Sequence, residues 1–233
     1  MGVDRRILGT VMFAAAFGWV EAAIVVYLRR IYYSDGFVFP LRTIDNPILI
    51  VELIREAATL VMLMSVALIA GRRRWERFAF FCLAFGIWDL AFYAGLKLAI
   101  GWPASWGTWD ILFLLPLPWL APVYAPVSVA VILIVAGLAV ARLCRNGCSG
   151  RADLATWLLG AAGVALVLFS FMHDLEAGRG RSLPQSYPVH LLLLGDACLL
   201  LSWRRFMRLS RAGIPIYQAE APVSQTEGAD AER

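Results

Sequence analysis

An all-α, polytopic membrane bundle of about six transmembrane helices, with a short re-entrant or interfacial helix near residues 110–115, is the fold this sequence predicts. Three observations carry that expectation. Apolar runs of about twenty residues, the length that crosses roughly 30 Å of hydrocarbon, recur along the chain. Charged residues make up only 16% of the 233, against roughly 25% in an ordinary soluble domain, and mean hydropathy is +0.71. The basic residues cluster in short stretches between the apolar runs, as topology signals do.

Taken in order, a short basic leader with Arg5 and Arg6 precedes a first span at 7–28. That span is longer than a signal-peptide core and is read as an uncleaved helix. A loop with Tyr32, Tyr33, Phe37 and Phe39 follows, aromatics of the kind that settle at the headgroup level. The second span, 47–70, begins with Pro47, whose missing N–H is harmless in a first helical turn. Arg72, Arg73, Arg74 and Arg77 fill the next loop, and the third span covers 78–100. Pro116, Pro118, Pro122 and Pro126 interrupt the apolar stretch after it. Continuous helix is excluded there, and Asp110–Leu115 is read as the short re-entrant piece, with backbone that must be covered by protein or water. Spans at 123–141, 154–172 and 188–206 complete one transmembrane domain, 1–211, and 212–233 reads as a disordered cytoplasmic tail.

Thirteen arginines, in the leader, the 72–77 loop, the Cys144 loop and residues 204–211, fall on one side of this topology. Five, at 29, 30, 42, 179 and 181, fall on the other. The positive-inside rule then makes both termini cytoplasmic. The net charge of +4 is therefore a topology feature, and nucleic acid is not an expected partner. Cys144 and Cys148 have C-x3-C spacing, which matches neither a zinc knuckle nor a haem-attachment motif. With Cys82 and Cys198 they read as reduced, structural thiols.

Ionisable groups inside apolar spans are costly and mark functional sites. With the orientation set, Glu21, Glu52, Arg55, Glu56, Asp110, His173, Asp174, Glu176 and His190 fall in the outer half, and Asp89 lies near the middle of the third span. At about 100° per residue, Glu52, Arg55, Glu56 and Thr59 share one arc of the second helix. The same phase puts Ala14 and Gly18 on the face of Glu21, small residues that admit a neighbouring helix. Asp89, Tyr93 and Lys97 form a slowly turning stripe, with Lys97 able to snorkel. Glu52, Glu56 and Asp89 are the candidate catalytic carboxylates; Glu21, Arg55, Tyr93 and Asp110 are the candidate ligand-binding residues.

Each has a plain architectural reading. Glu52, Arg55 and Glu56 can form an internal ion-pair network, although two acids flanking one guanidinium leave a carboxylate for other work. Asp110 can cap a helix. His173 and His190, the only two histidines, can be solvated helix-end residues, or can meet a shared metal ion or haem iron from adjacent antiparallel helices. Asp196 lies on a different side of its helix from His190. The repeated Trp-Asp of IWDLAF and TWDILF is read as coincidence.

The segments GWVEAAIVVYLR, VELIREAATLVML, WDLAFYAGLK and WDILFLLPLPWLAPV together resemble a group of uncharacterised bacterial multi-pass membrane proteins over the first four spans. That resemblance implies a bacterial inner-membrane location and assigns no activity. Walker, Rossmann, H-E-x-x-H and nucleophile-elbow motifs are absent from the sequence. Three classes of function follow: a metal- or ligand-binding enzyme or redox protein working at an outer-facing pocket, a small-solute or ion-coupled transporter, and a membrane scaffold or accessory subunit.

Overall fold

The computed structural model describes residues 2–32, 46–115, 117–145, 150–174 and 186–212. Residues 213–233 of the tail, Glu176, Cys148 and residues 33–45 of the aromatic loop lie outside the described residues, while Tyr32 ends the first helix. Six long helices dominate: α1 Val3–Tyr32, α2 Asn46–Ala70, α3 Arg74–Ile100, α4 Tyr124–Arg145, α5 Leu154–Met172 and α6 Val189–Ala212. The all-α polytopic bundle expected from the sequence is present. α1 to α5 are long and apolar enough to cross a membrane. α6 has the length, but Asp196 and the arginines at 204, 205, 208 and 211 interrupt its apolarity. Several helices overrun the apolar spans that announce them, because arginine is a good helix former and the backbone ladder does not stop where hydrocarbon does.

α3 is the central element, with 61% of its apolar window buried against 22–28% for the other four spanning helices. Close approach on both sides explains this: on the α4 side a Cβ on Gly137 would lie 2.6 Å from the Ala79 carbonyl oxygen of α3. A Cβ on Gly18 of α1 would lie 2.4 Å from the Trp88 carbonyl oxygen of α3, so glycine alone lets the two backbones touch. Gly163 and Gly195 play the same part between α5 and α6, where a Cβ on Gly163 would lie 3.0 Å from the Gly195 carbonyl oxygen. Such contacts drive helix association where apolar burial cannot, since lipid is as apolar as leucine. Leu63, Phe80, Leu83 and Leu96 are fully buried, whereas Ile69 is 85% and Leu98 78% exposed, the outward apolar coat of a protein that faces lipid.

The segment at 110–115 is not a helix. Trp109–Phe113 (β1) and Trp119–Pro122 (β2) form an antiparallel hairpin, with Asp110 opposite Ala121, Ile111 opposite Leu120, and a register shift between Ile111 and Phe113. The reason is local. Trp109, Ile111 and Phe113 alternate with period two and favour strand, and the prolines beyond them forbid a helical ladder. Leu120 and Ala121 are fully buried, so the hairpin packs inside the bundle, where irregular backbone at membrane depth is tolerated.

At the end of the bundle that holds the α2–α3 turn, Arg6 and Glu76 form a buried ion pair at 2.7 Å. Arg6 also donates to the Ala70 carbonyl at 2.5 Å, and Glu76 accepts from the Arg72 N–H at 2.7 Å. The candidate site lies toward the opposite end.

Candidate functional site

Glu21 projects from α1 and Arg55 from α2, and the two side chains form a salt bridge. Thr59, one turn beyond Arg55, donates its hydroxyl to the other Glu21 oxygen at 2.7 Å. Arg55 Nε donates to Glu52 at 2.9 Å, a second contact on the same helix. One guanidinium is thus shared by two carboxylates, but the pair is Glu21 and Glu52, not Glu52 and Glu56. The shared arc of Glu52, Arg55, Glu56 and Thr59 is correct, and the internal-network reading is half of the answer.

Glu56 is the acid left over, and backbone takes it. Its carboxylate accepts from the Leu114 N–H at 3.0 and 2.9 Å, and from the Leu115 N–H at 3.2 Å. These are orphan donors at the tip of the hairpin, which the strand ladder cannot satisfy. Those bonds tie α2 to the hairpin.

Between α1, α2, α3 and β1 lies a cavity of about 70 Å³, room for a few water molecules. Glu21, Arg55, Glu56, Thr59, Asp89 and Tyr93 supply its polar lining. Trp88, Phe92 and the hairpin residues Ile111 to Phe113 supply apolar walls. Five of these groups are tied to protein partners. Asp89 is not: its Oδ2 is buried without a hydrogen-bond partner.

Asp110 stands behind Tyr93, outside the cavity lining. It is 3% exposed, accepts from the Tyr93 hydroxyl at 3.2 Å and pairs with Arg29 of α1 at 3.2 Å. Arg29 in turn lies 3.8 Å from the centre of the Trp102 ring, a cation–π contact. Burial pushes the Asp110 carboxyl up to about 6, against the opposing pull of Arg29 and of the Tyr93 hydrogen bond. The helix-cap reading of Asp110 fails because no helix begins there. Asp89 and Asp110 lie near enough to feel each other's charge, whereas Trp88 packs on Phe113 and Trp109 on Tyr187, so the two Trp-Asp pairs share a region only through their carboxylates.

The structure therefore brings Glu21, Arg55, Glu56, Asp89 and Tyr93 to one cavity, with Glu52 and Asp110 each one bond behind it. Neither histidine lines it. His173 Nδ1 lies 3.0 Å from the Ser170 carbonyl oxygen, its Nε2 is buried without a partner, and its ring meets Tyr187 edge-on at 6.1 Å. His190 is exposed in the first turn of α6. Among the described residues no group of three or more His, Cys, Asp or Glu is placed to hold a metal ion, and Cys82 and Cys198 are free thiols.

Lys97 reaches the chain end of α3, donating to the carbonyls of Gly101 and Pro103 at 3.1 and 2.7 Å. Asp196 belongs to another neighbourhood, accepting from Ser128 of α4 at 2.9 Å. Sequence reasoning missed Arg29, which it counted only as a topology charge. A buried Asp110 demands a counter-charge, and that demand was the available signal. Comparison with protein-family models, curated proteins and solved structures finds no match to this chain.

Proposed function

We propose that this chain is a multi-pass protein of a bacterial inner membrane, with both termini cytoplasmic, that binds a proton or a single small cation at Asp89 and couples that binding to ion movement. The observation that carries the reading is the unpartnered buried Oδ2 of Asp89, which borders a cavity whose other carboxylates are already engaged. The charge balance points the same way. Glu21, Glu52, Glu56, Asp89 and Asp110 form one neighbourhood, and among the described residues its guanidinium partners are Arg55 and Arg29. An excess of buried negative charge is too costly to stand uncompensated, so the cluster takes up protons or a cation.

Size separates this reading from an enzyme acting on a larger molecule. Sites for drug-sized ligands occupy roughly 300–1,000 Å³, several times the 70 Å³ found. Water, a proton or one bare cation fits; an organic substrate or a haem does not.

Reconstitution of the full chain into liposomes holding a pH-sensitive dye tests the proposal. With a sodium or potassium gradient imposed, the wild type is expected to move protons, Asp89→Asn to abolish that flux, and Glu52→Gln to retain most of it. Equal dye responses for wild type, Asp89→Asn and protein-free liposomes would overturn the reading.

A further inference from the structure

At the end of the bundle far from the carboxylate cavity, an open groove of about 640 Å³ lies between the start of α3, the start of α5 and the end of α6. Arg74, Trp75, Arg151 and Trp157 are among the residues that line it. From these features we infer that the groove binds the headgroup of an anionic phospholipid.

The charge of the groove is the first support. Asp153, its carboxylate, is consumed by Arg205: Nε donates at 3.0 and 3.1 Å and the terminal nitrogen at 2.5 Å. Arg74 and Arg151 are exposed, and among the described residues neither guanidinium has an ion-pair partner. Two uncommitted guanidiniums on one rim are suited to a phosphate, which they bind with charge-assisted hydrogen bonds in fixed planar geometry.

The floor is rigid. Trp75 packs on Phe206 at 4.7 Å and on Trp157 at 5.7 Å between ring centroids. A Cβ on Gly150 would lie 2.6 Å from the Trp75 ring, so glycine lets the chain pass directly over that indole. Tryptophans at a helix end are also the side chains that settle at the headgroup level of a bilayer.

The third support is the way out of the groove. Leu154, Trp157 and Leu158 are 73%, 60% and 61% exposed, and their spacing puts them on one face of α5. That face leads from the guanidiniums into the hydrocarbon and provides a track for an acyl chain. A free anion has no use for such a track, and this feature selects a lipid over inorganic phosphate.

Native mass spectrometry of the full chain, released from detergent with equal amounts of phosphatidylglycerol and phosphatidylcholine, tests the inference. Phosphatidylglycerol is expected to be retained several-fold more than phosphatidylcholine. Arg74→Gln with Arg151→Gln should bring the two to parity, Arg74→Lys with Arg151→Lys should keep most of the preference, and Arg142→Gln should leave it intact. Equal retention of both lipids by the wild type would overturn the inference. So would an unchanged preference in the double glutamine variant, an equal loss in Arg142→Gln, or displacement of the lipid by millimolar inorganic phosphate.

Discussion

The carboxylate of Glu56 and the backbone N–H of Leu114 meet at 3.0 and 2.9 Å, joining α2 to the tip of the hairpin across 58 positions of sequence. Glu56→Gln keeps the size of the side chain but leaves one carbonyl oxygen where two carboxylate oxygens stood. Buried hydrogen-bond donors left without a partner cost about 1–3 kcal/mol. Thermal unfolding of the variant in detergent should show a lowered midpoint, with Glu56→Ala lower still. Unchanged midpoints in both would mean that the hairpin tip is held by something else.

Arg55 stands between Glu21 and Glu52, so removing it strands two acids. Arg55→Leu is expected to destabilise the fold by about 3–5 kcal/mol, the usual result of breaking a buried pair from one side. Adding Glu21→Gln to that variant should recover part of the loss. A double-mutant cycle on unfolding midpoints measures the coupling, and purely additive effects would contradict the geometry.

Gly18 offers a test of packing alone. Because its missing Cβ would lie 2.4 Å from the Trp88 carbonyl oxygen, Gly18→Ala forces α1 away from α3. Overpacking of this kind costs about 1–3 kcal/mol. Cavity function should fall with stability, since Glu21 follows Gly18 on the same helix face.

Asp110 gives a pH signature. Burial raises its carboxyl from 3.8 to about 6, so the folded chain keeps a proton that the unfolded chain has released. The stability it contributes is complete below about 3.8 and is lost as pH rises through about 6. Unfolding midpoints recorded between about pH 4 and pH 8 should fall more steeply over that window for the wild type than for Asp110→Asn. Parallel curves would exclude the residue as the source.

How far these relationships could be read in advance depends on whether they lie along one helix or between helices. Helical phase was enough to group Glu52, Arg55, Glu56 and Thr59, and to align Ala14, Gly18 and Glu21, because period and rise are fixed by the backbone. It could not say that Arg55 would pair with Glu21, 34 residues away, or that Arg29 would meet Asp110, 81 residues away. Those pairings depend on helix packing, which small residues permit without naming the partner. The hairpin was hidden for a different reason. The alternation of Trp109, Ile111 and Phe113 spans only five residues, and the long apolar runs on either side make every short apolar piece look helical.

The contact between Glu56 and Leu114 also has a direction in time. A ribosome delivers α2 before residues 109–122, so the acceptor is already in place, on a helix able to insert by itself, when the donors emerge. The hairpin, which could not enter a bilayer alone with its tip amides bare, is made only after its receptacle exists. Chain order thus protects during biogenesis the very backbone that Glu56 holds in the completed bundle.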